Sequence, residues 1–239
     1  RFVQQSHFLE KGHIKQFTLC KSFNSAERNN SKLKKYKVGQ MYKIIGSVKS
    51  RTFRVLWMLE EMGLPYEYTH VPPHSKLVKQ YNSSGKIPIL IDLEAVITDS
   101  NAIMTYLADK HSTMTARAGS IERAHQDAIS HRIIDEIDAV LWAASRSSLG
   151  LKELDNFPNI NDRFKREYKR NLDRLEKQIK GPFMMGENLS LPDFILGHCA
   201  GWAYVAQFPA GNEMFGAYVK SLRTRPAYKT ASRLDMSDD

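Results

Sequence analysis

The chain has 239 residues, of which 42% are hydrophobic and 26% are charged, a composition typical of a globular protein. No apolar run approaches the roughly 18 residues needed to cross a bilayer, so we expect no membrane span. The formal net charge is +9, but residues 1–40 hold nine Lys/Arg and two acids and therefore carry +7 of it. The body that follows is nearly balanced, and we expect no groove for a nucleic-acid backbone.

Residues 1–40 form a basic extension with no sustained helical or strand period. They precede Met41, where a conventional start would fit the body. Three interpretations stay open: a residual leader or mis-started reading frame, a targeting peptide, and a functional basic arm. No apolar core of a secretory signal is present. The two cysteines, Cys20 and Cys199, make no disulfide framework, redox pair or zinc spacing, which indicates a reducing compartment and no metal site.

Residues 41–112 alternate strand and helix signals. Short apolar or Tyr/Val-rich runs predict strands, and Ser50 precedes an apolar helical stripe that ends at Gly63. The resulting order is β-α-β-α-β-β-α. The predicted strands are 41–45, 66–71, 88–92 and 95–98, and the predicted helices begin after Ser50 and cover 76–81 and 99–111.

After a linker at 112–120 the strand signal disappears, and residues 121–232 predict an all-α bundle. One segment, 191–208, is apolar nearly all round and should be the buried central helix. Ser190 and Asp193 form the pattern of a capping box at its start. The other predicted helices are 121–145, 161–180, 214–222 and 226–232.

Four motifs, in this order and spacing, resemble the cytosolic-type glutathione transferase superfamily. They are the run Ser47–Glu61, the segment Gly85-Lys86-Ile87-Pro88-Ile89-Leu90, the helix start Thr98-Asp99-Ser100-Asn101-Ala102-Ile103 and the Ser-x-x-Asp cap at Ser190. Arg225-Pro226-Ala227-Tyr228 is a further family-like element. The resemblance covers residues 41 to about 232. It implies an α/β thioredoxin-like domain with a mixed four-stranded sheet, residues 41–112, followed by an all-α helical domain, residues 121–232.

The resemblance also implies a glutathione site. Ile87-Pro88 resembles the family's cis-proline bond, whose backbone would pair with the cysteinyl unit of glutathione as an edge strand pairs with a peptide. Ser100 would bind the γ-glutamyl carboxylate at a helix start, and Asp99 its amino group. Lys86 resembles a lysine that meets the glycyl carboxylate, and His74 lies where some classes place a histidine for it. Each residue also has a plain structural interpretation, as a strand start, a helix cap or a solvated surface residue.

The family's chemistry requires the thiolate of glutathione. Ser50 lies four residues before Arg54, where serine-type members carry their catalytic serine, and we favour it as the hydrogen-bond donor to sulfur. Arg51 is a further candidate glutathione residue, because its charge could stabilise the thiolate. Ser47 and Thr52 remain alternatives, and Ser50 could simply cap the helix.

Absences narrow the class. Tyr42 is one residue away from the position of tyrosine-type classes and should face the other side of its strand. No cysteine lies between Gly46 and Arg54, which argues against cysteine-type members. The nearest resemblance is to serine-type, bacterial-style transferases.

The second substrate, a small hydrophobic electrophile, would lie against the first long helix of the helical domain. Candidates are Ile134, Ile137, Trp142 and residues 145–149, with the two isoleucines favoured as core. The expected function is glutathione conjugation or peroxide reduction by a cytoplasmic homodimer. The alternative is a non-catalytic glutathione- or ligand-binding scaffold, and a third reading tethers the protein to acidic partners through its basic arm.

Overall fold

The computed structural model describes residues 41–148 and 160–235. The basic extension, residues 1–40, and Leu149 of the electrophile segment therefore lie outside the described residues. No helix in these two ranges combines the length and apolar content that a membrane span requires.

The first part of the chain forms a mixed four-stranded sheet with three helices. The strands stand in the order β2-β1-β3-β4, with β2 parallel to β1 and with β3 and β4 each antiparallel to their neighbour. This confirms the predicted βαβαββα order and the thioredoxin-like fold. The elements are β1 Tyr42–Gly46, α1 Thr52–Met62, β2 Tyr66–His70, α2 Lys76–Tyr81, β3 Ile89–Asp92, β4 Ala95–Thr98 and α3 Ser100–His111.

The described residues after 120 form helices, as predicted. One long helix contains a π-helical turn, Ile134–Asp138, that joins α4 to α5 and that the sequence pattern did not indicate. The central helix ends at Val205 rather than at residue 208, and its last residues, Tyr204 and Val205, are exposed. The elements are α4 Ile121–Ile133, α5 Ala139–Ser148, α6 Ile160–Leu175, a 3₁₀ turn Glu176–Gln178, α7 Leu191–Val205, α8 Glu213–Thr224 and α9 Pro226–Ser232.

Helix α1 lies between the sheet and the helical part. Its Trp57 is fully buried, with ring centroids 4.6 Å from Phe194 in α7 and 5.0 Å from Tyr228 in α9. Gly197 lets α7 approach this ring, since a Cβ there would lie 3.1 Å from Trp57. The start of α7 is fixed by the predicted capping box of Ser190 and Asp193. Helix α1 is thus held in place by its packing, and this packing fixes the position of its first turn, which begins at Thr52.

Candidate functional site

Four loops meet at one end of the sheet. Ile45 pairs with Ile89, and Ile89 pairs with Thr98. Because β3 is antiparallel to both neighbours, the loop after β1, the residue before β3 and the residue after β4 lie side by side. The loop after the parallel strand β2 reaches the same end, where the Val71 N–H donates to the Gly46 carbonyl at 2.8 Å. The register thus brings the predicted glutathione residues together.

The Ile87–Pro88 peptide bond is cis, as the resemblance implied. Pro88 is buried beneath the sheet end, while Ile87 is partly exposed. Among the loop and turn hydrogen bonds of the described residues, none uses the backbone N–H or C=O of Ile87. Both groups are available to pair with an extended peptide.

Lys86 and His74, the candidates for the glycyl carboxylate, are brought close by Gly85. The His74 N–H donates to the Gly85 carbonyl at 2.7 Å. Gly85 has a φ of +72°, and a Cβ at this position would lie 2.2 Å from His74 Nδ1. Glycine is therefore required both by conformation and by contact. Lys86 and His74 are both exposed.

Asp99 and Ser100 stand at the start of α3. One carboxylate oxygen of Asp99, Oδ1, accepts the backbone N–H groups of Asn101 at 2.8 Å and Ala102 at 3.1 Å. This is the helix-cap interpretation of Asp99, and it leaves the other oxygen, Oδ2, for a ligand. Asp99 is exposed, whereas Ser100 is only 2% exposed. The Asp99 side chain is therefore accessible to a ligand, whereas only a small part of Ser100 is.

Ser50 lies in the turn before α1 and is partly exposed. Its hydroxyl donates to the Ser47 carbonyl at 2.7 Å and accepts the Thr52 N–H at 3.1 Å. The single hydroxyl proton of Ser50 is therefore engaged within the turn. The Ser47 hydroxyl accepts the Lys49 N–H at 3.3 Å, and Ser47 is 9% exposed. Thr52, the third hydroxyl considered, is fully buried.

Arg51 turns away from the sheet and contacts the helical part. Its Nε and Nη2 donate to the Asp138 carboxylate at 3.0 and 2.7 Å. Its Cζ lies 5.1 Å from the ring centre of Trp142 and 5.7 Å from that of Trp202. The guanidinium thus forms a bidentate ion pair with Asp138 and two cation–π contacts. We predicted Arg51 as a glutathione residue, and the structure directs most of its contacts elsewhere.

A buried cluster of polar groups lies below Arg51, centred on Arg54. Arg54, 1% exposed, donates from Nη2 to Asp138 at 2.5 Å and to the Cys199 sulfur at 3.4 Å. Its Nε donates to His198 Nδ1 at 3.2 Å. The Arg54 cluster therefore joins the start of α1 to the π-helical turn and to α7.

Electrostatics fix the protonation states of this cluster. Burial would raise the pKa of Asp138, but the charges and hydrogen bonds of Arg54 and Arg51 outweigh it and lower the pKa. Burial, followed by the charge of Arg54, holds the pKa of His198 well below its ordinary value, so the ring is neutral. Burial also raises the pKa of the Cys199 thiol to about 12, which keeps it protonated and unreactive. Two cations therefore share one anion.

Three groups of this cluster are of the types that bind metal ions. Asp138, His198 and Cys199 each offer a ligand atom, and these atoms lie within 4.8 Å of one another. Arg54, however, donates to all three groups, so its guanidinium fills the place that a metal ion would take. The arrangement fits an ion-pair cluster rather than a metal centre.

Of the predicted electrophile residues, some belong to the core and others lie at the surface. Ile137 is buried, as favoured from the sequence, whereas Trp142 is 42% exposed beside Arg51. Asp138 and His198 were not predicted as site residues from the sequence, and no role was predicted for Trp202. A signal was present: Asp138 continues the apolar stripe of Ile134, Ile137 and Leu141, and His198 lies within the apolar helix α7. A polar residue at such a position is unusual unless it is paired.

Comparison with known proteins supports the resemblance. Residues 50–110 match the family model of the glutathione S-transferase N-terminal domain. A glutathione S-transferase-like protein of Beauveria bassiana is 28% identical over 203 residues, covering 74% of this chain and 87% of that protein. These matches support the glutathione S-transferase superfamily.

Solved structures share the fold. A glutathione transferase of Phanerochaete chrysosporium with oxidized glutathione has a TM-score of 0.71 and 21% identity, covering 85% of this chain and 100% of that one. A glutathione S-transferase of Actinobacillus pleuropneumoniae has a TM-score of 0.66 and 22% identity, covering 83% and 97%. At this identity the likeness establishes the fold alone.

Proposed function

We propose that the chain is a glutathione transferase of the serine type, similar to bacterial-style members. It would activate the glutathione thiol for conjugation to a hydrophobic electrophile or for peroxide reduction. The observation that carries this proposal is the convergence, at one sheet end, of the free Ile87 backbone, the α3 start at Asp99 and the Ser50 turn.

Glutathione fits these groups from end to end. Its γ-glutamyl amino group would pair with the free carboxylate oxygen of Asp99, and its carboxylate would meet the α3 start at Ser100. Its cysteinyl unit would pair with the Ile87 backbone beside Pro88. Its glycyl carboxylate would meet Lys86. The cysteinyl sulfur then lies toward the loop after β1.

Thiol activation needs a modest free energy. A free thiol has a pKa near 8.5, and lowering it by about two units requires about 3 kcal/mol of preferential thiolate stabilisation. We propose that Ser50 supplies a hydrogen bond by turning its proton from the Ser47 carbonyl to the sulfur. The excess positive charge of Arg51 and Arg54 over Asp138 would add to it. Ser47, whose hydroxyl only accepts a bond in the turn, is the competing donor.

The alternative is a non-catalytic glutathione- or ligand-binding scaffold of the same fold. The engaged proton of Ser50 is the observation that favours it. We also propose a homodimer in the cytoplasm, and light scattering during size-exclusion chromatography would measure the dimer directly.

The test combines retention on immobilised glutathione with conjugation of a generic aryl halide. We expect the protein to be retained and active, and Ser50→Ala to be retained with kcat/KM lowered about 10²-fold, the effect of one lost oxyanion-type donor. Ser47→Ala is the matched control and should keep most of its activity. If instead only Ser47→Ala loses activity, the donor is Ser47. Retention of all three proteins without activity in any would establish the scaffold.

A further inference from the structure

Two tryptophans form an aromatic cleft where α1, α5 and α7 meet. Trp142 is 42% exposed, and its ring centre lies 6.5 Å from that of Trp202 at an interplanar angle of 64°. The guanidinium of Arg51 contacts both indoles. We name Arg51, Trp142 and Trp202 the tryptophan cleft. Its exposed indole surface suits a flat apolar ligand, because aromatic groups gain by stacking in addition to area burial.

The cleft also carries uncompensated positive charge. Asp138 is paired with both Arg51 and Arg54, so one anion balances two cations. Arg146 lies one helical turn after Trp142, four residues on, and therefore on the same face of α5. Arg146 is exposed and makes no ion pair with any residue of the two described ranges. Taken by themselves, these four described groups, Arg51, Arg54, Asp138 and Arg146, carry two positive charges in excess near the half-exposed indole.

Arg51 keeps hydrogen-bonding capacity for a ligand. Asp138 occupies its Nε and Nη2, whereas no hydrogen bond among the described residues uses Nη1. The side chain is 27% exposed, so water or a ligand can reach it. The two N–H groups of Nη1 are suited to a carboxylate or sulfonate oxygen, and such charge-assisted bonds are stronger than neutral ones.

We propose that the tryptophan cleft, with Arg146 at its rim, gives the second-substrate subsite that the family resemblance implies a selectivity for aromatic compounds that carry a carboxylate or sulfonate. The inference rests on the proposed transferase function, because the Ser50 turn that precedes Arg51 would hold the thiolate. A neutral aromatic ligand gains only the stacking contacts. An anionic one gains the same contacts and the two cations.

Binding is tested by titration calorimetry with a matched pair of probes, 1-naphthalenesulfonate and the neutral 1-naphthalenesulfonamide. At low ionic strength we expect the sulfonate to bind about fivefold or more tightly than the sulfonamide, and salt near 0.5 M to reduce the ratio because the cleft is open to water. Arg51→Gln and Arg146→Gln should each lower the ratio. Trp142→Ala should weaken both probes, and Arg132→Gln, an exposed arginine on α4, should change neither.

Kinetics supply the second readout. Glutathione displaces chloride from 4-chloro-3-nitrobenzoate or from the neutral 4-chloro-3-nitrobenzamide: a C–S bond forms, the C–Cl bond breaks, chloride leaves and the thiol proton goes to solvent. We expect Arg146→Gln to raise KM for the benzoate several-fold and to leave KM for the benzamide unchanged. Arg146 is exposed and makes no hydrogen bond with the Arg54 cluster, so the Arg146→Gln variant should fold normally.

Equal affinity for the two naphthalene probes, or a ratio unchanged in both arginine variants, would overturn the inference. Retention on immobilised glutathione, measured on the same preparations, keeps the two proposals separate. Retained protein with a ratio of one refutes the anionic selectivity alone. Protein that is not retained but prefers the sulfonate refutes the transferase function and supports the cleft as an anion-binding site.

Discussion

The two sides of the candidate site are held in different ways. The glutathione side is formed by backbone groups and exposed caps: the Ile87 backbone, the Asp99 cap and the His74–Gly85 contact all lie within one stretch of about thirty residues. The other side, here called the junction, is the Arg54 cluster and is formed by buried side chains. Arg54 hydrogen-bonds residues that are 84, 144 and 145 positions away along the chain. The first side follows from local chain geometry, and the second depends on complete tertiary packing.

This difference separates stability from binding. A charge removed from the junction leaves its partners buried without compensation, so the whole fold should respond. A charge removed from the exposed sheet end leaves solvated neighbours, so only the ligand should respond. Substitutions on each side can therefore confirm or break the contrast.

The largest effect should come from Asp138→Leu. This substitution leaves Arg51 and the buried Arg54 without their shared anion, and we expect the free energy of unfolding to fall by about 3–5 kcal/mol in urea denaturation. Adding Arg54→Met should recover much of the loss, because an apolar pair replaces the buried charges. The control is Asp173→Leu, which breaks the exposed Lys169–Asp173 pair and should cost less than about 1 kcal/mol. A similar cost for both single variants would remove the contrast.

The next effect concerns ligand binding. Asp99→Asn keeps a cap oxygen and suits the positive φ of 73°, so the thermal midpoint should stay the same. It removes the negative charge, and we expect glutathione affinity to fall about tenfold, the loss of one charge-assisted hydrogen bond. Asp99→Ala should lose both affinity and about 1 kcal/mol of stability. Unchanged affinity in Asp99→Asn would leave Asp99 with its capping role alone.

The smallest effect is a pH dependence from His198. Its pKa is lowered in the fold, so below pH about 6.5 the unfolded chain binds a proton that the folded chain does not. Stability should therefore fall on acidification, by at most about 1.4 kcal/mol per pH unit from this group. His198→Gln should flatten the profile between pH 6.5 and 5.5 in urea titrations, although His111, whose pKa burial also lowers, keeps part of it. His125→Gln, a histidine replaced at an exposed position, is the matched control for the substitution itself.

The predictability of the molecule from its sequence follows the same division. The order of strands and helices and several bounds, such as 76–81 and 95–98, follow from turns, caps and periodicity. The convergence of the Ile87, Asp99 and Ser50 segments follows once the sheet order is given. Tyr42 is buried and bonded to His111, in agreement with its predicted structural role.

The junction could not be predicted in the same way. Nothing local to Arg51 indicates that its guanidinium contacts the rings of Trp142 and Trp202, which lie far along the chain. The π-helical turn that contains Asp138 has no signature in the amino-acid composition. It is defined by its backbone hydrogen bonds, and the spacing of apolar residues continues through it as in an ordinary α-helix. Tertiary contacts of this kind leave only a weak trace, a polar residue on an apolar face.

The most direct test of thiol activation is the ionisation of bound glutathione. Thiolate absorbance near 240 nm can be followed against pH in the complexes of the protein and of Ser50→Ala. We expect a thiol pKa about two units below the free value of 8.5, returning most of the way to that value in Ser50→Ala. A bound thiol that ionises near 8.5 in both proteins would contradict thiol activation at this site.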